Sequence, residues 1–192
     1  EKLTLRKKEA ADEQTAALLA LAAVEFGSSY LLDVREAGSA GWYQRWDSRL
    51  RMELHTPDNE GHTNVVLCGE EDYESTNLEG FISAKRRKKA EFCLKRLLCP
   101  KRLAPELEAE LAEYVRGHTK GAGSEEAWQL ILEKYGENRP YYCLFAQLDC
   151  VTPDNLEGVL ADIGERFPEM KAFFLRRTQQ DGQQDFFAGL EL

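Results

Sequence analysis

Nine basic residues fall between Phe81 and Arg102: Lys85, Arg86, Arg87, Lys88, Lys89, Lys95, Arg96, Lys101 and Arg102. Glu91 is the only acid among them, so this segment carries +8 in a chain whose total is −9. Ammonium and guanidinium groups at this density bind carboxylates or phosphates. On a helix, Ala90, Cys93, Leu94, Leu97 and Leu98 form one apolar stripe, with Lys85, Lys88, Lys95 and Arg96 opposite. Arg86 and Arg87 fall on the apolar side, where they would pair with buried carboxylates or contact a ligand. Phe81 and Phe92 project among the cations. The segment has three possible uses. It could be a solvated face paired with the acidic stretch Glu70, Glu71, Asp72 and Glu74. It could neutralise phosphates, with Phe92 stacked on a base. Or it could dock an acidic protein.

Other chemistry is sparser. His55 and His62 flank a Pro57–Gly61 turn, and a hairpin there would bring them together with Asp58 or Glu60 as a two-histidine, one-carboxylate metal site. The same turn residues are also ordinary turn formers. Cys68 and His55 are the least implausible thiol–imidazole pair. No G-x-S-x-G occurs. Gly121-Ala122-Gly123-Ser124 opens a helix but lacks the lysine of a phosphate loop and does not follow a strand. Carboxylates such as Asp33, Glu53 and Asp149 are not singled out by spacing. None of these patterns calls for a cofactor or a resident metal.

The elements that must position these residues read as follows. Residues 7–25 are expected to form a buried helix. Ser29 to Glu36 is expected as a strand, then Trp42 to Thr56, where Leu50, Met52 and Leu54 alternate with Arg49, Arg51, Glu53 and His55. Thr63 to Cys68 completes a three-stranded meander, with Trp42 and Trp46 on one strand face. The middle is helical: Gly80 to Cys99, Leu103 to Gly117, and a third helix capped by Ser124 and carrying Ala127, Trp128, Ile131 and Tyr135 at core spacing. Tyr141 to Asp149 is a strand, and a helix then runs from the Thr152-Pro153 cap to Phe167. Lys171 to Arg177 and Gln184 to Leu192 are strands joined around Asp181-Gly182. The expected fold is therefore α+β: an N-terminal meander and a C-terminal β-α-β-β group, both antiparallel, packed against central helices. It is read as a single domain over 1–192, with a weak subdivision into 1–118 and 124–192.

Length and composition bound the function. A chain of 192 residues with 43% hydrophobic and 31% charged residues can bury a core, which excludes disorder and fibrous structure. The excess of acid repels nucleic acid and anionic membranes from the molecule as a whole. Five cysteines, an odd number with no C-x-x-C, suit a reducing cytoplasm. The longest apolar run, Ala16 to Val24, is too short to span a bilayer. The expectation is a cytoplasmic, bacterial-style binding or regulatory domain, non-enzymatic and with no membrane partner. Lys85, Arg86, Arg87, Lys88, Lys89, Lys95 and Arg96 would meet an acidic protein or anionic ligand, and a homo-oligomer is compatible with arginines on an apolar face. The alternatives are a small metal-assisted hydrolase at His55 and His62, or a nucleic-acid-binding protein using the same basic helix.

Overall fold

The computed structural model describes residues 13–26, 29–62 and 77–188. The described residues contain helices, turns and loops and no β-strand, so the α+β expectation is overturned. In chain order the α-helices are α1 (Glu13–Leu21), α2 (Ala40–His55), α3 (Leu78–Leu97), α4 (Pro105–Gly117), α5 (Glu126–Leu130), α6 (Arg139–Gln147), α7 (Leu156–Ile163) and α8 (Pro168–Ala188). A π-helical turn extends α1 through Ala22–Phe26, and another extends α5 through Ile131–Tyr135. The chain divides into two compact units, Glu1–Ala112 and Glu113–Leu192, with the division inside α4.

In the first unit, the segment read as the second strand is the helix α2. Gly38, at φ +89°, turns the chain, and the Ser39 Oγ accepts the Trp42 N–H (3.1 Å) as an N-cap. The buried residues Trp42, Tyr43, Trp46 and Leu50 follow helical spacing. The period-2 run at 49–55 is an accident of composition: Met52, assigned to its apolar side, is 52% exposed. Two large indoles on one helical stripe outweigh seven alternating residues, because burying them removes far more apolar area from water. Each buried indole also finds a polar partner, Trp42 Nε1 donating to Leu31 O (2.9 Å) and Trp46 Nε1 to Leu18 O (3.2 Å). These bonds tie α2 to α1 and to a 3-10 turn at Ser29–Leu31. That turn replaces the first expected strand: Leu31 is buried, while Tyr30, Leu32 and Val34 are exposed. The third expected strand, Thr63 to Cys68, lies outside the described residues.

In the second unit, the remaining expected strands are helices as well. Tyr141–Asp149 becomes α6, opened by Pro140 in its first turn, with Tyr142, Phe145 and Ala146 buried at i, i+3 and i+4. Lys171–Arg177 and the start of the last expected strand belong to one helix, α8, which runs through Asp181-Gly182. Asp-Gly favours a hairpin, but a helix-interior glycine costs only about 1 kcal/mol. Burial of Met170 and Phe174 at i, i+4 anchors α8 instead. The helix expected from the Thr152-Pro153 cap begins later, at Leu156, after a turn in which the Asn155 Oδ1 accepts the Thr152 N–H (2.8 Å). Ser124 does not cap α5; the His118 carbonyl accepts from Ala127 N (3.0 Å) and Trp128 N (3.3 Å).

Candidate functional site

The basic segment is the helix α3, as expected, held at its start by the Asn77 Oδ1, which accepts the Glu79 N–H (3.0 Å). Its seven candidate cations differ in burial. Arg96 is fully buried. Its Nε and Nη2 donate to the two oxygens of Asp47 on α2 (2.6 and 3.0 Å), forming a bidentate fork. Its Nη1 donates to Cys99 O, and its Nη2 also donates to Lys101 O (3.2 Å), which closes the turn at the end of α3. The guanidinium lies over the Tyr43 ring at 5.2 Å. Arg96 therefore faces inward, against its placement on the outer face. The bulk of α2 stacked on that side takes it out of water.

Lys89 is also buried. Its ammonium donates to Thr56 O (2.6 Å), Leu54 O (3.4 Å) and Asp58 Oδ1 (2.6 Å). Two of these oxygens are carbonyls left over at the C-terminal end of α2, where a cation complements the helix dipole. Arg86 Nε donates to the other Asp58 oxygen (2.9 Å). Of the two uses foreseen for Arg86, this is pairing with a carboxylate. Burial pushes the Asp58 carboxyl upward, yet the hydrogen bonds from Lys89 and Arg86 outweigh it and hold the group below the ordinary aspartate value.

Of the other four, Lys88 is exposed, and Lys85, Arg87 and Lys95 are half-buried. Ala84, Lys88, Glu91 and Lys95 form the outward stripe at helical spacing, and Lys95 pairs with Glu91 (2.7 Å). Lys85 lies over the Phe81 ring (5.7 Å) and Lys88 over the Phe92 ring (5.6 Å). Phe92 itself is only 1% exposed, packed on Phe26 with ring centroids 4.8 Å apart. It is not on the surface where a base could stack. The acidic stretch Glu70–Glu74 lies outside the described residues.

The histidine site is not assembled as a hairpin. His55 is the last residue of α2, and its Nε2 contacts Glu110 Oε1 (2.6 Å), while Arg51 Nε donates to Glu110 Oε2 (3.0 Å). His62 lies edge-on to Phe81 at 5.3 Å. Among the described residues no group of three or more His, Cys, Asp or Glu side chains is placed to hold a metal ion. Cys68, the proposed partner of His55, lies outside the described residues. Glu53 pairs with Arg49 (2.5 Å), Asp33 accepts its neighbouring Arg35 N–H (2.9 Å), and Asp149 faces Arg177 (3.8 Å). The Gly121 loop is tied down locally, its N–H donating to Glu125 Oε1 (3.0 Å).

Sequence reasoning missed a cleft in the second unit. Tyr142 on α6 and Glu169 on α8 line two adjoining cavities of about 320 and 240 Å3. Phe167 and Met170 line the larger one, and Arg139, Phe173 and Arg176 the smaller. Gly136 lets the Phe167 ring lie against the backbone, because a Cβ there would come within 3.0 Å of three ring atoms. Assigning α6 and α8 to strands dispersed these residues, so no sequence signal could have assembled them. No family model, curated protein or solved structure matches this chain.

Proposed function

We propose that the chain is a non-enzymatic binding or regulatory protein of the reducing cytoplasm, and that the first half of α3 docks an acidic segment of a partner protein. The observation that carries this reading is the division of the cations. Lys89 and Arg96 fasten α3 to α2 from inside, and Lys88 stands exposed, with Lys85 and Arg87 half-buried beside it, on a helix whose position is fixed. A preorganised ridge of positive charge in an otherwise acidic molecule attracts carboxylate-rich partners and repels basic ones. Burial of Phe92 favours an acidic protein over single-stranded nucleic acid, which would use exposed aromatic rings as stacking platforms. An odd number of cysteines with no C-x-x-C in the sequence supports a reducing compartment. No helix among the described residues is long and apolar enough to cross a membrane.

The test is fluorescence anisotropy with a labelled Asp/Glu-rich peptide, a single-stranded RNA and a DNA duplex, each at about 50 and 200 mM salt. The expected result is peptide binding that weakens with salt and is lost in the Lys85→Gln, Arg87→Gln, Lys88→Gln triple variant, with helicity unchanged. Binding of RNA or DNA in preference to the peptide would overturn the reading in favour of a phosphate-binding surface. Binding of none of the three at low salt would reject α3 as a contact surface.

A further inference from the structure

Tyr142 is 3% exposed, yet its hydroxyl makes no hydrogen bond among the described residues. A phenol in that position forfeits about 1–3 kcal/mol unless water or a ligand satisfies it. The hydroxyl is not among the fully enclosed polar atoms that lack a partner, so the part of Tyr142 still open to solvent includes its polar end. The side chain lines both cavities of the second unit. Burial keeps the phenol protonated well into alkaline conditions, against the opposing pull of the Arg139 and Arg176 charges, so it is available as an O–H donor.

The groups around it form a graded surface. At the smaller cavity stand Arg139 and Arg176. No carboxylate pairs with Arg139 among the described residues, and Arg176 donates only its Nε, to Ala172 O (3.1 Å). Both guanidinium groups therefore retain donors for an incoming anion. The larger cavity offers the Phe167 ring and the buried Met170 as an apolar wall, with Arg166 over the Phe167 ring at 5.1 Å. Glu137 and Glu169 are the acids of the cleft. Glu169 also lines the smaller cavity, so the positive charge there suits one anionic group held between Arg139, Arg176 and the phenol.

We propose that this cleft binds a small organic anion, with a single carboxylate or phosphate received by Arg139, Arg176 and the Tyr142 hydroxyl and an aromatic-sized apolar body lying against Phe167 and Met170. A cavity of about 320 Å3 lies at the lower end of the range typical of small-molecule sites. The site stands independently of the cationic ridge on α3.

Isothermal titration of the full chain with phenylacetate and with phenyl phosphate tests it, alongside benzyl alcohol (body without charge) and inorganic phosphate (charge without body). The expected result is that one of the two aryl anions binds at least about tenfold more tightly than either control, and which one does identifies the anionic group. Tyr142→Phe and Arg139→Gln should each weaken that binding by about tenfold, the usual worth of a hydrogen bond to a charged group. Tyr142→Phe should do so without lowering the melting temperature, since its hydroxyl serves no internal bond. Equal binding of benzyl alcohol would reduce the cleft to an apolar hole, and equal binding of inorganic phosphate would reduce it to surface charge. Either outcome, the absence of binding by both aryl anions, or affinity that neither variant changes would overturn the proposal.

Discussion

Replacing Arg96 with Met removes a cation that is fully buried and that spans two helices of the first unit. Its side chain has no exposure and its partner Asp47 has 15%, so solvent screens the pair little. The variant leaves a carboxylate largely out of water with its two-pronged donor gone, and strips a charged donor from the Cys99 and Lys101 carbonyls. Breaking one side of a buried pair costs about 3–5 kcal/mol, a large part of the roughly 5–15 kcal/mol that holds a domain folded. With a urea slope of about 2 kcal/mol/M, the unfolding midpoint should fall by about 2 M. Urea unfolding followed by circular dichroism and tryptophan emission reads this directly. The double variant Arg96→Met, Asp47→Leu should recover much of the loss, because two well-packed apolar side chains can replace a buried ion pair at little net cost. A loss below about 1 kcal/mol for Arg96→Met, or strictly additive effects of the two substitutions, would refute the idea that this fork fixes α3 against α2.

Three further outcomes follow from the same contacts. Asp58→Asn should destabilise the protein at neutral pH. Because the folded-state carboxyl titrates below its ordinary value of 3.8, its contribution is complete above that pH and declines as pH falls further; the gap in melting temperature between parent and variant should therefore narrow only below about pH 4. Gly136→Ala should cost about 1–3 kcal/mol in thermal unfolding, against the usual gain from alanine in helical backbone, because the new methyl collides with the Phe167 ring. In a Cys68→Ser background, a disulfide reagent at pH 8 should label half-buried Cys143 first. Burial pushes the Cys150 thiol up to about 12 and Cys93 higher still, so both should react only as the protein unfolds.

The helices that announced themselves were those with both a stripe and punctuation. Leu94 and Leu97 with Pro100 marked α3, Leu107 and Leu111 marked α4, and Trp128, Ile131 and Tyr135 marked α5 with its π-helical extension. What misled was local β character without a partner. Tyr141–Asp149 is rich in aromatic residues, yet its buried set at 142, 145 and 146 has the helical period. At the candidate sites, the charge on α3 was legible because it is a matter of composition. Its division was not: Lys89 and Arg96 were indistinguishable by type from Lys88 and Lys95 until their neighbours were known.

Net charge, apolar content and a helical leucine stripe need no knowledge of what packs against them, so the order of residues alone established a folded, acidic chain with a cationic helix. That α2, α6 and α8 are helices rather than strands was settled by packing. Packing also turned Lys89 and Arg96 into internal fasteners and joined Tyr142, Arg139 and Arg176 in one cleft. The reason is the range of the forces involved. Propensity and short-range pattern are differences of about 1 kcal/mol or less per residue, whereas burying a tryptophan, or leaving one partner of an enclosed ion pair without the other, shifts the balance by several. Those stronger interactions exist only between residues distant in the chain, and no local pattern carries them.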